Sequence, residues 1–271
     1  MRSMIIVYSG REGSSAIVSS LGKHSQVSVP IFEDMDYRNI KSRFGVEGTN
    51  SIHIGLGNLL RGVELNDNVF KVMDTRDSSA NVVFKWRPCG DLDKVCEVLV
   101  ALETIIISLA RRDLVNFCIS KYFTNVVLGD GAAVYHPQFD VMKMSERRRE
   151  ERLNELRGRA FNIDVDRFVE LMQDTVESKV LLQSKAEYME KKGVSVKYVF
   201  YEDFLNDKRA FLTTLLSEIG LEFEGVVTKS NFVKVNRSDM REQVLNLEDL
   251  ERDERVQRYV KEYGALFAES Y

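Results

Sequence analysis

The residues best suited to bind an anion lie near the N-terminus, in SGREGSS at residues 9–15. They follow a short apolar run at residues 4–8 and precede a segment with the apolar spacing of a helix. A strand, a glycine-containing turn and a helix that opens with hydroxyl side chains direct backbone N–H groups and the helix dipole at one point. Arg11 would add a forked cationic contact. The segment predicts a phosphate or sulfate site, and a plain strand–turn–helix with Ser14 as N-cap is the alternative.

A second candidate site begins at Arg112, just after a β-rich run at residues 104–109. Ser120 lies eight positions further on, about two turns into a helix predicted to begin at Asp113. An arginine at a strand end and a serine at that spacing can converge on one phosphate. A solvated arginine pair that ends a strand is the other interpretation.

Alternating β-rich runs and helical patterns predict the elements that position these residues. The β-rich runs are residues 4–8, 27–31, 81–86, 104–109 and 194–201, and helices are predicted from residue 14, over 92–102, from 113 and over 208–219. This alternation predicts an α/β fold with a mostly parallel central sheet flanked by helices, and a ligand at the carboxyl ends of the strands.

The chain contains no repeat and no linker rich in Pro, Gly or Ser, so residues 1–271 are predicted to form one domain. Within it, residues 128–192 are predicted to form a helical subregion or lid. Two helices are predicted over residues 145–192, and the highly charged run at 145–159 is predicted to be a solvated helix with i,i+4 ion pairs.

Composition narrows the classes of function. The formal net charge of −4 disfavours a general nucleic-acid binder. No apolar stretch is long enough to span a membrane, and the first residues do not form a secretion signal. Three cysteines without a CxxC pair indicate thiols in a reducing compartment and no metal site. We therefore expect a cytoplasmic protein that binds a small anionic ligand.

Taken together, these motifs resemble the family of sulfotransferases that use 3'-phosphoadenosine 5'-phosphosulfate. Residues 9–15 resemble the family's 5'-phosphosulfate loop, and Arg112 with Ser120 resembles its 3'-phosphate motif. FKWRP at residues 84–88 is similar to the segment that carries a lysine beside the sulfuryl group, and FYEDF at 200–204 to the Tyr-Glu-Asp strand end. The doubled arginine of the second motif is closest to bacterial carbohydrate sulfotransferases. The matches span nearly the whole chain.

The resemblance implies a P-loop-kinase-like sulfotransferase fold and assigns roles to particular residues. Lys85 would stabilise charge on the bridging oxygen, and Arg11 would assist catalysis as well as binding. The donor and its product, adenosine 3',5'-bisphosphate, would contact Arg11, Glu12, Gly13, Ser14, Ser15, Arg112, Ser120, Tyr201, Lys234 and Arg237, the last two being alternatives in the family's late basic loop. Because Ala16 replaces a tryptophan that is common in the family, Tyr201 is predicted to lie near the adenine.

The general base is not where many cytosolic members of the family have it. Arg87 stands at the position of their histidine, and an arginine stays protonated at neutral pH. Glu33 is the first choice, because bacterial carbohydrate sulfotransferases use a glutamate in this region and partial desolvation can raise the pKa of a carboxylate. A residue that merely begins a helix is the other interpretation of Glu33. The alternative bases are Asp34, His24 and His53.

Two other functions stay open. A nucleotide or sugar kinase of related fold would share the strand–loop–helix, but the pattern GxxxxGK[ST] is absent because no lysine precedes Ser14. A non-catalytic phosphoadenosine-binding protein would have no need of Lys85 beside Arg11, but the absence of the family's usual histidine keeps this alternative open. For a sulfotransferase, the acceptor would be a hydroxyl, less favourably an amine, of a small molecule, carbohydrate or lipid. The long helices could support a homodimer.

Overall fold

The computed structural model describes residues 2–10, 12–29, 56, 60, 81–129, 145–228 and 239–268. Two compact units contain them. The first consists of Met1–Ala110 and Leu181–Asn231, and the second of Arg111–Val180 and Phe232–Tyr271. That the whole chain forms one domain stays a prediction.

A parallel sheet forms the centre of the first unit, with strand order β2-β3-β1-β4-β5. The strands are β1 (Met4–Val7), β2 (Val27–Ser28), β3 (Asn81–Trp86), β4 (Ile105–Ala110) and β5 (Ser195–Phe200). Every described strand pair is parallel, and Ile6 of β1 lies opposite Lys85 of β3. Apolar runs rich in Ile and Val are typical of strands that are covered on both faces. The predicted α/β fold is confirmed.

Helices occupy most of the remaining described chain. They are α1 (Ser14–Leu21), α2 (Leu92–Ala101), α3 (Leu114–Tyr122), α4 (Glu146–Gly158), α5 (Val165–Lys191), α6 (Tyr201–Asn206), α7 (Lys208–Glu218), α8 (Leu247–Arg252) and α9 (Glu254–Ala265). Short helical turns cover Phe123–Val127, Gly225–Thr228 and Arg241–Gln243. None of the helices described is both long enough and apolar enough to cross a membrane.

Alternating side chains divide the core of the first unit into two layers. On one face of the sheet, Ile6 and Tyr8 pack with α1 and α7, whereas on the other face Ile5, Val7 and Trp86 pack with α2 and the last part of α5. The alternation follows from the two-residue period of a strand. Neighbouring strands β1 and β3 therefore lead into helices on opposite faces, which is the arrangement that opens a crevice at the carboxyl ends of a parallel sheet.

The described residues of the second unit form helices around a core of their own. Phe117 of α3, Phe168 and Met172 of α5 and Tyr263 of α9 are buried in it. The side chains of Phe168, Met172 and Val176 place the apolar face of α5 in this core. The charged run forms α4, whose Arg147 lies 3.0 Å from Glu151 as an i,i+4 ion pair, as the sequence predicts.

The three cysteines are thiols, with no disulfide between them. Burial raises the pKa of Cys118 to about 12. Burial also raises the pKa of Cys96, whereas Cys89 is half-buried at the surface of the first unit.

An ion pair between Asp113 and Arg241 stabilises the start of α3. Asp113 accepts a hydrogen bond from the N–H of Asn116 at 3.0 Å and receives both terminal nitrogens of Arg241, at 2.6 and 2.8 Å. Burial alone would raise the pKa of Asp113, but the hydrogen bonds from Arg241 and Asn116 outweigh it and lower the pKa below its usual value. Such a two-pronged contact is stronger than a bond between neutral groups.

Replacing this carboxylate with an amide should destabilise the protein without removing the helix cap. We expect Asp113→Asn to lower the free energy of unfolding at pH 7 by about 1–2 kcal/mol, because asparagine also caps helices and the loss is confined to the partly solvated ion pair. Urea denaturation would measure it.

The difference in the free energy of unfolding between wild type and Asp113→Asn should decrease as the pH is lowered. The folded-state pKa of Asp113 is lowered, so its stabilisation is present above the unfolded pKa, near 3.8, and is lost as pH falls through the folded value. Asp166→Asn removes an exposed partner of Arg255 and serves as the control, with an expected loss much smaller than that of Asp113→Asn. Equal losses in the two variants would contradict the assignment.

Candidate anion-binding site

The start of α1 presents backbone N–H groups at the carboxyl end of β1. Gly13 is the N-cap in a left-handed conformation, with φ of +91°, and its carbonyl accepts from the N–H of Ala16 at 2.9 Å. Ser14 and Ser15 precede that first bond, so their N–H groups have no intrahelical acceptor. These groups and the helix dipole favour an anion.

The ring of Tyr201 lies directly against Gly13. A Cβ atom at residue 13 would be 2.1 Å from Cε2 of Tyr201, so only glycine fits this place. Tyr201 follows β5 as the first residue of α6, has 7% of its surface exposed, and stacks on Phe204 with ring centroids 5.6 Å apart. The tyrosine of the Tyr-Glu-Asp motif therefore packs against the loop at residues 9–15.

The buried side chain of Glu12 stabilises the loop through a hydrogen bond to its backbone. Its side chain is fully buried, and its Oε2 atom accepts a hydrogen bond of 2.7 Å from the N–H of Ser9. A carboxylate in that position closes the turn and would repel a bound anion. Any contact of Glu12 with a phosphate or sulfate would therefore come from its backbone.

Lys85 brings a positive charge to the start of α1. It is the second-last residue of β3, which pairs with β1, and its Nζ atom donates a 3.0 Å hydrogen bond to Oγ of Ser15. A cation beside the positive end of a helix is disfavoured on its own. The contact therefore favours an anion that both the lysine and the helix end can bind.

Arg87 and Tyr8 also lie beside the loop. The sequence patterns assigned neither of them a role in binding a ligand. Arg87 brings Nη2 to 3.4 Å from the position of a Cβ atom on Gly10, whose φ is +127°. The ring of Tyr8 lies 5.4 Å from the Arg87 guanidinium carbon and 5.3 Å from Nζ of Lys85. Lys85 and Arg87 are two residues apart on extended chain, and side chains at that spacing point to the same face. This spacing is the sequence feature that could have placed Arg87 beside Lys85.

Arg112 and Ser120 belong to the second unit. Arg112 is exposed just before α3, and Ser120 is half-buried on that helix with its carbonyl accepting from Thr124. The predicted helix between them is confirmed as α3, capped by Asp113. Their binding of a phosphate stays a prediction.

His24 has the contacts of a structural histidine. It is 2% exposed, its Nε2 lies 2.8 Å from the carbonyl oxygen of Glu222, and its Nδ1 accepts from the N–H of Gln26 at 3.1 Å. Its Nε2 also lies 3.6 Å from Oε1 of Glu224. A role of His24 as the general base stays a prediction. Several other predicted site residues lie outside the described residues, namely Arg11, Glu33, Asp34, His53, Lys234 and Arg237.

The described residues thus bring together Gly13, Ser14, Ser15, Lys85 and Tyr201 from the predicted site. A glycine turn, a helix N-terminus and a lysine on an adjacent strand can bind a phosphate or sulfate and stabilise negative charge that develops on it. Within the same part of the chain, no group of His, Cys, Asp and Glu side chains is arranged to hold a metal ion.

Comparison with known proteins gives distant structural similarities. The "Sulfotransferase Domain from the Synechococcus PCC 7002 Olefin Synthase" matches 100% of this chain and 96% of its own, with 14% identity and a TM-score of 0.47. The "Sulfotransferase Domain from the Curacin Biosynthetic Pathway" matches 99% of this chain and 97% of its own, with 11% identity and a TM-score of 0.42. Both matches are sulfotransferase domains.

No family model and no curated protein matches the sequence.

The contact between Gly13 and Tyr201 can be tested with alanine. Gly13→Ala should lower the free energy of unfolding by about 3 kcal/mol, since it adds the cost of a left-handed alanine to that of an overpacked ring contact. Gly220→Ala is the matched control, because Gly220 also has a positive φ, +74°, but no atom within 4 Å of the added Cβ. We expect about 1 kcal/mol there. Similar losses in urea denaturation would mean that the ring does not restrict residue 13.

Proposed function

We propose that the protein is a sulfotransferase that moves the sulfuryl group of 3'-phosphoadenosine 5'-phosphosulfate to a hydroxyl group. The observation that carries the proposal is the 3.0 Å hydrogen bond from Lys85 to Ser15. These two residues come from motifs 70 positions apart in the sequence. The family resemblance requires them to meet at one anion, and a chance match of either motif would not.

We expect residues 9–15 to bind the anionic end of the donor. The N–H groups of Ser14 and Ser15 and the hydroxyl of Ser15 would bind the 5'-phosphosulfate, as would Arg11 and the backbone of Glu12 and Gly13. Sulfuryl transfer breaks the sulfur–oxygen bond to the 5'-phosphate and forms one to the acceptor oxygen, so that adenosine 3',5'-bisphosphate leaves. Lys85 would stabilise the charge that develops on the bridging oxygen.

The remaining roles rest on the resemblance. Arg112 and Ser120 would bind the 3'-phosphate, with Lys234 or Arg237, and this extra phosphate would distinguish the donor from ATP. Tyr201 would lie near the adenine.

The acceptor's proton must go to a base when the new sulfur–oxygen bond forms. We propose Glu33 for this role, because Arg87 occupies the position of the family's histidine and an arginine side chain is unsuited to act as a general base. Asp34, His24 and His53 are the alternative bases. The expected acceptor is a hydroxyl, less favourably an amine, of a small molecule, carbohydrate or lipid.

A nucleotide or sugar kinase is the second candidate, and the origin of the lysine counts against it. In a P-loop kinase the lysine belongs to the loop itself, immediately before the Ser or Thr that opens the helix. In this chain Lys85 comes from the neighbouring strand β3, and Gly13 precedes Ser14. A non-catalytic binding protein is disfavoured because Lys85 is directed at the loop rather than at solvent.

Calorimetric titration tests the donor. Adenosine 3',5'-bisphosphate should bind at least about tenfold more tightly than AMP, because charge-assisted contacts to the 3'-phosphate add more than 1.4 kcal/mol. Arg112→Ala should remove most of that difference and leave AMP binding unchanged. Arg258→Ala replaces another exposed arginine and is the control. A preference for ATP would overturn the proposal in favour of a kinase.

Turnover tests Lys85. Once a screen has identified an acceptor, Lys85→Ala should lower kcat by about 10²-fold or more while affinity for the intact donor changes far less, because the bridging oxygen gains its charge only as its bond to sulfur breaks. Lys197→Ala is the matched control, since Lys197 is a lysine of β5 that pairs with Glu218 at 3.4 Å. Equal losses of affinity and kcat would assign Lys85 to binding alone.

A further inference from the structure

Two cations share one aromatic ring at the carboxyl end of β1. Tyr8 follows β1 directly and has 3% of its surface exposed. Lys85 Nζ lies 5.3 Å and the Arg87 guanidinium carbon 5.4 Å from the centre of its ring. The face of an aromatic ring attracts cations at such distances. Tyr8 is therefore placed to hold both side chains.

The two cations reach different parts of the loop. Lys85 donates to Ser15, in the first turn of α1, whereas Nη2 of Arg87 lies against Gly10, just before the turn. Gly10 has no side chain to cover its backbone, and its φ of +127° is one that other residues rarely adopt. A ligand on this loop would therefore have one cation near each end of it.

We propose that Arg87 is a second anion-binding residue of this loop, and that the Tyr8 ring is the positioning element for Arg87 and Lys85. The ligand class that fits is one with two adjacent anionic groups, such as a phosphosulfate or a pyrophosphate, rather than a single phosphate. This deepens the proposed function, because the sulfuryl donor carries such a pair. It gives Arg87 a binding role at the position where the family resemblance leads one to expect a base.

The chemistry of the side chains supports this assignment. Arginine keeps its charge at any physiological pH and presents planar donors that can contact two oxygens together. Arg87 is exposed, so its removal should cost the core little. The hydroxyl of Tyr8 is buried and has no hydrogen-bond partner among the described residues. The aromatic face, rather than the hydroxyl, is thus the part of Tyr8 that the two cations use.

Titration with simple anions tests Arg87 without the nucleotide. Pyrophosphate should bind wild-type protein more tightly than inorganic phosphate, and Arg87→Ala should lower pyrophosphate affinity by about tenfold, as expected for one charge-assisted contact. Arg87→Lys should restore part of it. Arg209→Ala is the matched control, because Arg209 is also an exposed arginine over an aromatic ring, 5.2 Å from that of Phe223. Unchanged pyrophosphate affinity in Arg87→Ala would overturn the proposal.

Two variants test whether the ring of Tyr8 positions the cations, one that keeps the ring and one that removes it. Tyr8→Phe keeps the ring and should bind pyrophosphate as the wild type does, whereas Tyr8→Leu should lose affinity by about as much as Arg87→Ala or more. Because leucine leaves space in the core, folding of both variants is checked by thermal denaturation first. Equal losses in Tyr8→Phe and Tyr8→Leu would assign the effect to the hydroxyl and refute a positioning role for the ring.

The sulfotransferase assignment and the role of Arg87 would be contradicted by different results. If wild-type protein binds pyrophosphate but not adenosine 3',5'-bisphosphate, the sulfotransferase assignment fails, and the Arg87 variants still decide the role of that residue. If it binds the nucleotide but prefers phosphate to pyrophosphate, the loop takes one anionic group and the assignment of Arg87 is wrong.

Discussion

The close approach of Tyr201 to Gly13 constrains the geometry of the loop. The ring fills the space of a side chain at residue 13, and the backbone there is left-handed, so the turn can pass the ring only with glycine at this position. Because α1 begins at the next residue, the same contact fixes where its first turn lies. Ser15, in that turn, then meets Lys85 from the neighbouring strand. A contact between uncharged groups thus helps to position the backbone of the candidate anion site.

Much of the first unit could be predicted because its strands are short runs of β-branched residues between helices of clear period. The third predicted strand coincides with β3, Asn81–Trp86, and the predicted helix over 208–219 is one residue longer than α7, Lys208–Glu218. The last strand was predicted one residue too long at each end. It ends before Tyr201 because Glu202 and Asp203 follow, and acidic residues favour the first turn of a helix.

The C-terminal helices show what the sequence analysis missed. The buried residues of α9, Val256, Tyr259 and Tyr263, have the i, i+3, i+7 spacing of one helix face. That pattern was available and was not used. The packing of these residues with α3 could not have been predicted, because contacts between segments so far apart depend on the course of the chain between them.

At the site, residue types were easier to predict than side-chain directions. The glycine turn, the hydroxyl residues and Lys85 were recognised, since each has a distinctive pattern. Glu12 was grouped with them as a neighbour in sequence, yet its carboxylate turns inward to the N–H of Ser9. Tyr8 was taken only as the end of a strand, because nothing in a linear pattern reveals that two cations lie over its ring. The roles of Arg11, Glu33, Lys234 and Arg237 are still predictions.

The unequal burial of the three thiols gives the protein a built-in labelling position. Thiol reagents attack the thiolate, and burial holds Cys118 and Cys96 in the protonated form at neutral pH. Cys89 is only half-buried, so an alkylating probe would modify it first. It lies two residues beyond Arg87 along the chain. A fluorophore attached there would report changes around the loop without any engineered cysteine.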